Sequence, residues 1–126
     1  MDGEREGARR AAERIRARIA ELRRHEEDVE LHYRLHDPWK RMLLVALCRR
    51  YALAPYRDVG RHRSTIQVRA PRTFHDQTLW PEYYALAEEL DAYLRELTER
   101  VIREAINEDV SEAPEGPPKA LPAATR

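Results

Sequence analysis

The chain has one cysteine, Cys48, in 126 residues. A lone thiol allows no intrachain disulfide and no cysteine-based zinc cluster, and it points to a reducing, cytoplasmic setting. Glycine is nearly as scarce. Gly3, Gly7, Gly60 and Gly116 are too far apart to write a phosphate-binding loop or a dinucleotide fingerprint. The only serines are Ser64 and Ser111, and neither lies in a nucleophile elbow. No histidine follows a glutamate by three residues, and His-Glu-x-x-His is absent, which removes the usual helical metal signatures. The longest apolar run, Met42 to Cys48, is seven residues, against about 20 for a membrane-spanning helix. The charged N-terminus lacks the apolar stretch of a secretory leader. These absences argue against an enzyme, a cofactor, a bound metal, a small-molecule substrate and a membrane role.

What the chain does have is charge. Charged residues make up 37% of it, with 23 bases balancing 23 acids. The balance is not local. Residues 49 to 72 carry seven arginines against Asp58 alone, and residues 73 to 126 carry twelve acids against five bases. A basic middle followed by an acidic end is the main asymmetry. Arginine outnumbers lysine 21 to 2, so part of that excess belongs to the background composition.

Ala8 to Leu35 reads as a long helix. Ala8, Ile15, Leu22, Val29 and His36 recur every seven residues, with Ala12, Ile19, Glu26 and Tyr33 between them. That is the 4-3 spacing of a coiled-coil seam. On this helix His25, His32 and His36 would share a side, and the last two have the i,i+4 spacing that can chelate a transition metal. A solvated polar strip is the plainer reading. Asp37-Pro38 then starts a second helix running to about Tyr51, with aspartate as cap and proline in the first turn. Apolar residues surround nearly all of it, which predicts the buried centre of the fold and makes Cys48 an inert packing group.

Beyond Pro55, Tyr56–Val59 and Thr65–Ala70 read as a β-hairpin around residues 60–64. Ile66, Val68 and Ala70 alternate with polar neighbours, giving one apolar face. Thr73 to Trp80 is ambiguous, with room for one helical turn. Pro81 opens a third long helix to about Asn107, striped by Leu86, Leu90, Leu94, Leu97 and Val101. From Ser111 onward the chain has four prolines and few bulky apolar residues, so 111–126 is expected to be a disordered tail. The expected class is α+β and mainly helical. One domain over residues 1–110 would hold a long helix, a short apolar helix, a β-hairpin and a second long helix.

The arginine-rich middle is the best functional signal. Arg49, Arg50, Arg57, Arg61, Arg63, Arg69 and Arg72 fall within 24 residues, together with Tyr56 and His62. Guanidinium forks match phosphate oxygens, and tyrosine rings can stack on bases. The expectation is a non-catalytic protein that contacts the phosphates of DNA or RNA through these nine residues. The alternative is a self-assembling helical scaffold or adaptor, in which the same arginines meet acidic helices. Both readings expect a homo-oligomer, because two long striped helices expose more apolar surface than a short helix and a hairpin can cover. Trp39 and Trp80 are expected to anchor the core.

Overall fold

The structure, a computed structural model, describes residues 2–57, 60 and 62–117. It is mainly helical α+β, as the sequence led us to expect. In chain order the elements are α1 (Asp2–Arg23), β1 (Asp28–Arg34), α2 (Pro38–Arg50), β2 (Thr65–Pro71), a single turn α3 (Arg72–Phe74), a π-helical segment (His75–Leu79) and α4 (Trp80–Ala105). The chain divides into two compact units, Met1–Leu90 and Asp91–Arg126. No helix among the described residues is long and apolar enough to cross a membrane.

In the first unit, α1 puts Ala12, Ile19 and Leu22 into the core, with Ile15 packed beside them. The seam seen in the sequence is therefore spent inside the chain. Its charged faces are laced by short-range pairs such as Arg9 with Glu6 and Glu13. The helix ends where Arg24, His25 and Glu26 turn their N–H groups onto the carbonyls of Glu21 and Leu22.

Residues 28–34, expected as helix, form a strand. The cause lies in Leu31. Val29 and Tyr33 are four apart, so they share a face whether the period is 3.6 or 2. Leu31, midway between them, joins that face only in a strand, and there it is buried beside Tyr33. β1 pairs antiparallel with β2 in the register Asp28↔Pro71, Leu31↔Val68, Arg34↔Thr65. One face of this two-stranded sheet carries Val29, Leu31, Tyr33, Ile66, Val68 and Ala70, all in the core or packed against it. The other face carries Glu30, His32, Arg34, Thr65, Gln67 and Arg69.

The expected hairpin is corrected accordingly. Thr65–Ala70 is a strand, but its main partner precedes α2 instead of following Pro55. Of the strand placed at Tyr56–Val59, Tyr56 makes one isolated bridge to Gln67, with paired N–H···O bonds of 2.8 and 2.9 Å. Residues 58 and 59 lie outside the described part. A seven-residue ladder with three apolar pairs outcompetes the local hairpin.

α2 starts as the sequence indicates. The Asp37 carboxylate accepts the Trp39 N–H at 2.8 Å, and Pro38 occupies the first turn. At its far end Leu53 N–H returns to the Cys48 carbonyl and Ala52 N–H to that of Arg49, a Schellman closure. The helix is not a buried centre, however. It buries Leu44, Leu47 and Cys48, while Met42 is 62% exposed and Trp39 56% exposed. Thirteen residues laid against one side of a small core can bury only one face. Trp39 is thus no core anchor, whereas Trp80 packs against the core and stacks on Tyr33, ring centroids 5.6 Å apart.

After β2 the chain runs helically from Arg72 to Ala105, widened over His75–Leu79. Pro81 lacks the N–H that would close an ordinary turn onto Gln77, and the wider turn before it gives the proline ring room. Phe74 and Leu79 are sealed in the core with Leu44 and Val68. Each such side chain contributes about 2 to 3 kcal/mol of burial.

The second unit holds the C-terminal part of α4. The N–H groups of Ile106 and Asn107 both reach the Ile102 carbonyl. The side chains of Asn107 and Asp109 then accept the main-chain N–H groups of Asp109 and Ser111. Val110, Ser111 and Glu112 share a hollow with Leu94, Thr98 and Ile102, so the chain turns back beside its own helix. Residues 111–117 contain no helix or strand. The rest of the proline-rich tail expected to be disordered, 118–126, lies outside the described residues.

Candidate functional site

The expected arginine surface is not one surface. Three residues of the expected set, Arg49, Tyr56 and Arg57, come together in a groove of about 560 Å³ between α2 and the segment after Pro55. Met42, Val45 and Ala46 of α2 share it with Pro55 and with Ile66 of β2, and Arg41 adds a third guanidinium. Arg41 is held in place through Nη1, which donates to the carbonyls of Leu35 (2.7 Å) and His36 (2.9 Å). Among the described residues no aspartate or glutamate lines the groove. Its chemistry is an apolar surface bordered by positive charge.

Tyr56 contributes differently from the expectation. Its ring is partly exposed, but its hydroxyl donates to the Glu30 carboxylate. Glu30 also lies 2.8 Å from His32 Nε2. Tyr56 can present a ring face; its polar end is engaged within the fold.

The remaining arginines are scattered. Arg50 follows Arg49 at the end of α2, with its guanidinium carbon 5.9 Å from the centre of the Tyr51 ring. Its carbonyl is gripped by Arg16 through Nε (3.1 Å) and Nη2 (2.7 Å). Arg63 is exposed in the turn before β2. Arg69 borders a hollow with Arg23, Arg24 and the acids Glu26, Glu27 and Asp28. Arg72 lies beside His75, Trp80 and the residues of β1. Arg61 is outside the described residues. His62 shapes its own turn: its Nδ1 lies 2.7 Å from Ser64 Oγ and accepts the Ser64 N–H at 3.2 Å. Among the described residues, none of Arg49, Arg50, Arg57, Arg63, Arg69 and Arg72 is bonded to a carboxylate.

Arg41, Met42, Val45 and Ile66 were missed by sequence reasoning. A signal was available in part: Arg41, Val45 and Arg49 are four apart and so fall along one side of α2. The weight given to an apolar circumference hid it.

The histidines do not form the strip that a continuous helix would make. His25 lies past the end of α1, His32 is in β1 and His36 is in the loop before α2. The i,i+4 spacing of His32 and His36 loses its meaning once the residues between them leave the helix. Among the described residues no group of three or more His, Cys, Asp or Glu side chains is arranged to hold a metal ion. Cys48 is buried, and the apolar surroundings push its thiol up to about 11, so it is protonated at neutral pH.

A second concavity of about 470 Å³ runs along residues 30–35, the last five of β1 and the one after it, and is bordered by Arg72, His75 and Trp80. Tyr33 OH lies 2.6 Å from His75 Nδ1. Burial lowers the His75 pKa below its ordinary 6.5, and burial raises that of Tyr33 well above its ordinary value. Both are neutral near pH 7, so the hydroxyl donates and Nδ1 accepts. The chain matches no protein-family model, and no curated protein or solved structure matches it.

Proposed function

We propose that this is a non-catalytic nucleic-acid-binding protein whose groove at Arg41, Arg49 and Arg57 takes a short stretch of exposed bases and their phosphates. The observation that carries this reading is the composition of the groove, where the described residues supply three arginines and no carboxylate around Met42, Val45, Ala46 and Ile66. Guanidinium groups suit phosphate, while an apolar floor suits the faces of unpaired bases better than a rigid duplex. A single strand, DNA or RNA, is therefore the favoured form.

The test is fluorescence anisotropy with a labelled single-stranded oligonucleotide across a salt series. Binding should weaken with salt with a log–log slope of about −0.7 per phosphate contacted. Arg49→Glu with Arg57→Glu should lower affinity by about tenfold or more while leaving the helical circular dichroism unchanged. Undiminished binding in that variant, or binding indifferent to salt, overturns the assignment.

A self-assembling scaffold is the second reading, and one observation favours it. Along α4, Tyr83, Ala87, Leu90, Leu94, Leu97 and Val101 follow a 4-3 seam. Tyr83 and Ala87 are buried, but Leu97 and Val101 are exposed, as are the nearby Tyr93 and Ile106. A seam left open to water is a surface on which helices associate.

A further inference from the structure

We infer that the outer edge of β1 pairs antiparallel with the same edge of a second copy of this chain, joining two sheets into one of four strands. β1 is an edge strand, since among the described residues the sheet holds only β1 and β2. The direction of its main-chain groups follows from the bonds at its end and across β2. Leu35 N–H reaches the Ser64 carbonyl at 2.9 Å, so the odd-numbered residues of β1 bond inward to β2. Gln67, opposite His32, turns its own N–H and carbonyl to Tyr56 on the far side. His32 and Arg34 therefore direct their main-chain groups outward, and no group among the described residues bonds them there. The concavity along Glu30–Leu35 leaves room beside that edge.

The occupant is written in the strand. Asp28-Val29-Glu30-Leu31-His32-Tyr33-Arg34 has acids in its first half and bases in its second. Turned antiparallel on itself about Leu31, it places Asp28 opposite Arg34, Glu30 opposite His32 and Val29 opposite Tyr33. The parity agrees. With Leu31 bonding inward, its self-pair is the non-hydrogen-bonded one, and 28↔34 and 30↔32 become the hydrogen-bonded pairs. This register uses the outward groups and sets both arginine–aspartate pairs directly opposite, where opposite charges stabilise and like charges repel. It is also isologous, as a two-fold dimer requires. Half-buried Val29 would be brought to the Tyr33 of the other copy, on which Trp80 is stacked. A parallel or shifted pairing loses this match. The contact is distinct from the α4 seam and from the arginine groove.

Charge exchange tests the register. The mass of the full chain is measured by analytical ultracentrifugation for the wild type, Asp28→Arg, Arg34→Asp, an equimolar mixture of the two, and the double exchange. The wild type should be a dimer, and each single reversal should weaken it by about tenfold or more, since two attractive pairs become repulsive. The mixture should recover the dimer, because an Asp28→Arg chain is complementary to an Arg34→Asp chain. The double exchange should pair with itself. Asp28 also accepts from Arg23 Nε at 3.0 Å, so folding is checked by circular dichroism. If Asp28→Arg does not fold, His32→Pro, which removes an outward N–H from the edge, supplies the test by giving a folded monomer. A wild type that stays monomeric at its highest soluble concentration, reversals that leave the mass unchanged, a mixture that fails to recover it, or a folded His32→Pro dimer overturns the proposal.

Discussion

Ala52 is the one non-glycine residue with positive φ, 62°, among the described residues. It stands in the left-handed position that closes α2, between the returning N–H groups of Tyr51 and Leu53. Glycine is usual there because a Cβ crowds the preceding peptide. Alanine is held by its surroundings: Leu53 is buried just beyond it and Leu47 and Cys48 just before. Ala52→Gly should raise stability by about 1 kcal/mol, and Tm by about 5 °C in a domain of this size, measured by thermal denaturation. No change would mean that the unfolded-state freedom of the new glycine offsets the relieved strain. At the same scale, side-chain identity decides what the histidines and the cysteine can do. His62 is spent on Ser64, and Cys48 is a protonated thiol in an apolar wall.

Elements turn these residues into surfaces. α4 is one continuous helix with a single 4-3 seam, buried at Tyr83 and Ala87 and exposed at Leu97 and Val101. Under the scaffold reading, Leu97→Asp with Val101→Asp should lower the assembled mass seen by light scattering. The helical signal should stay the same, because both side chains already face water. The charge exchange at β1 should leave this contact untouched, so the two modes of association separate. An unchanged mass in the α4 variant removes that reading. α2 shows the same logic at smaller size. Its buried face is Leu44, Leu47 and Cys48, and its other side presents Met42, Val45 and Ala46 to the groove. The Arg16 grip on the Arg50 carbonyl ties the end of α2 to α1 and satisfies an acceptor left open at a helix terminus.

Whole-molecule stability should respond to pH through the contact between the π-helical segment and β1. Burial lowers the folded-state pKa of His75 below 6.5. Between that lowered value and 6.5 the unfolded chain binds more protons than the folded one, so stability rises with pH across this window. The contribution is complete above about pH 6.5 and is lost as pH falls toward the folded-state pKa, where Nδ1 can no longer accept from Tyr33. Tm should fall from pH 7.5 to 5.5, and fall less in His75→Gln, as differential scanning calorimetry would show. Equal slopes would place the pH dependence elsewhere.

Local features of this molecule were legible because they rest on neighbours in the chain. The Asp37-Pro38 start of α2, the alternation of Ile66, Val68 and Ala70, and the stripe of α4 each depend on residues a few positions apart. The excess of acids over residues 73–126 and the excess of arginine over residues 49–72 were equally plain. The partner of β2 was not. Val29 and Tyr33 satisfy a helix and a strand alike, and only the chance to pair with Ile66 and Ala70, more than thirty residues away, settles the choice. The groove was hidden for the same reason, since α2 shows apolar residues all round until a core of limited size takes one face and leaves the other. Sequence by itself determined the helical class, the caps and where charge resides. Tertiary structure decided which strand pairs with which and which arginines share a surface, because burial and hydrogen bonding reward contacts that spacing along the chain cannot reveal.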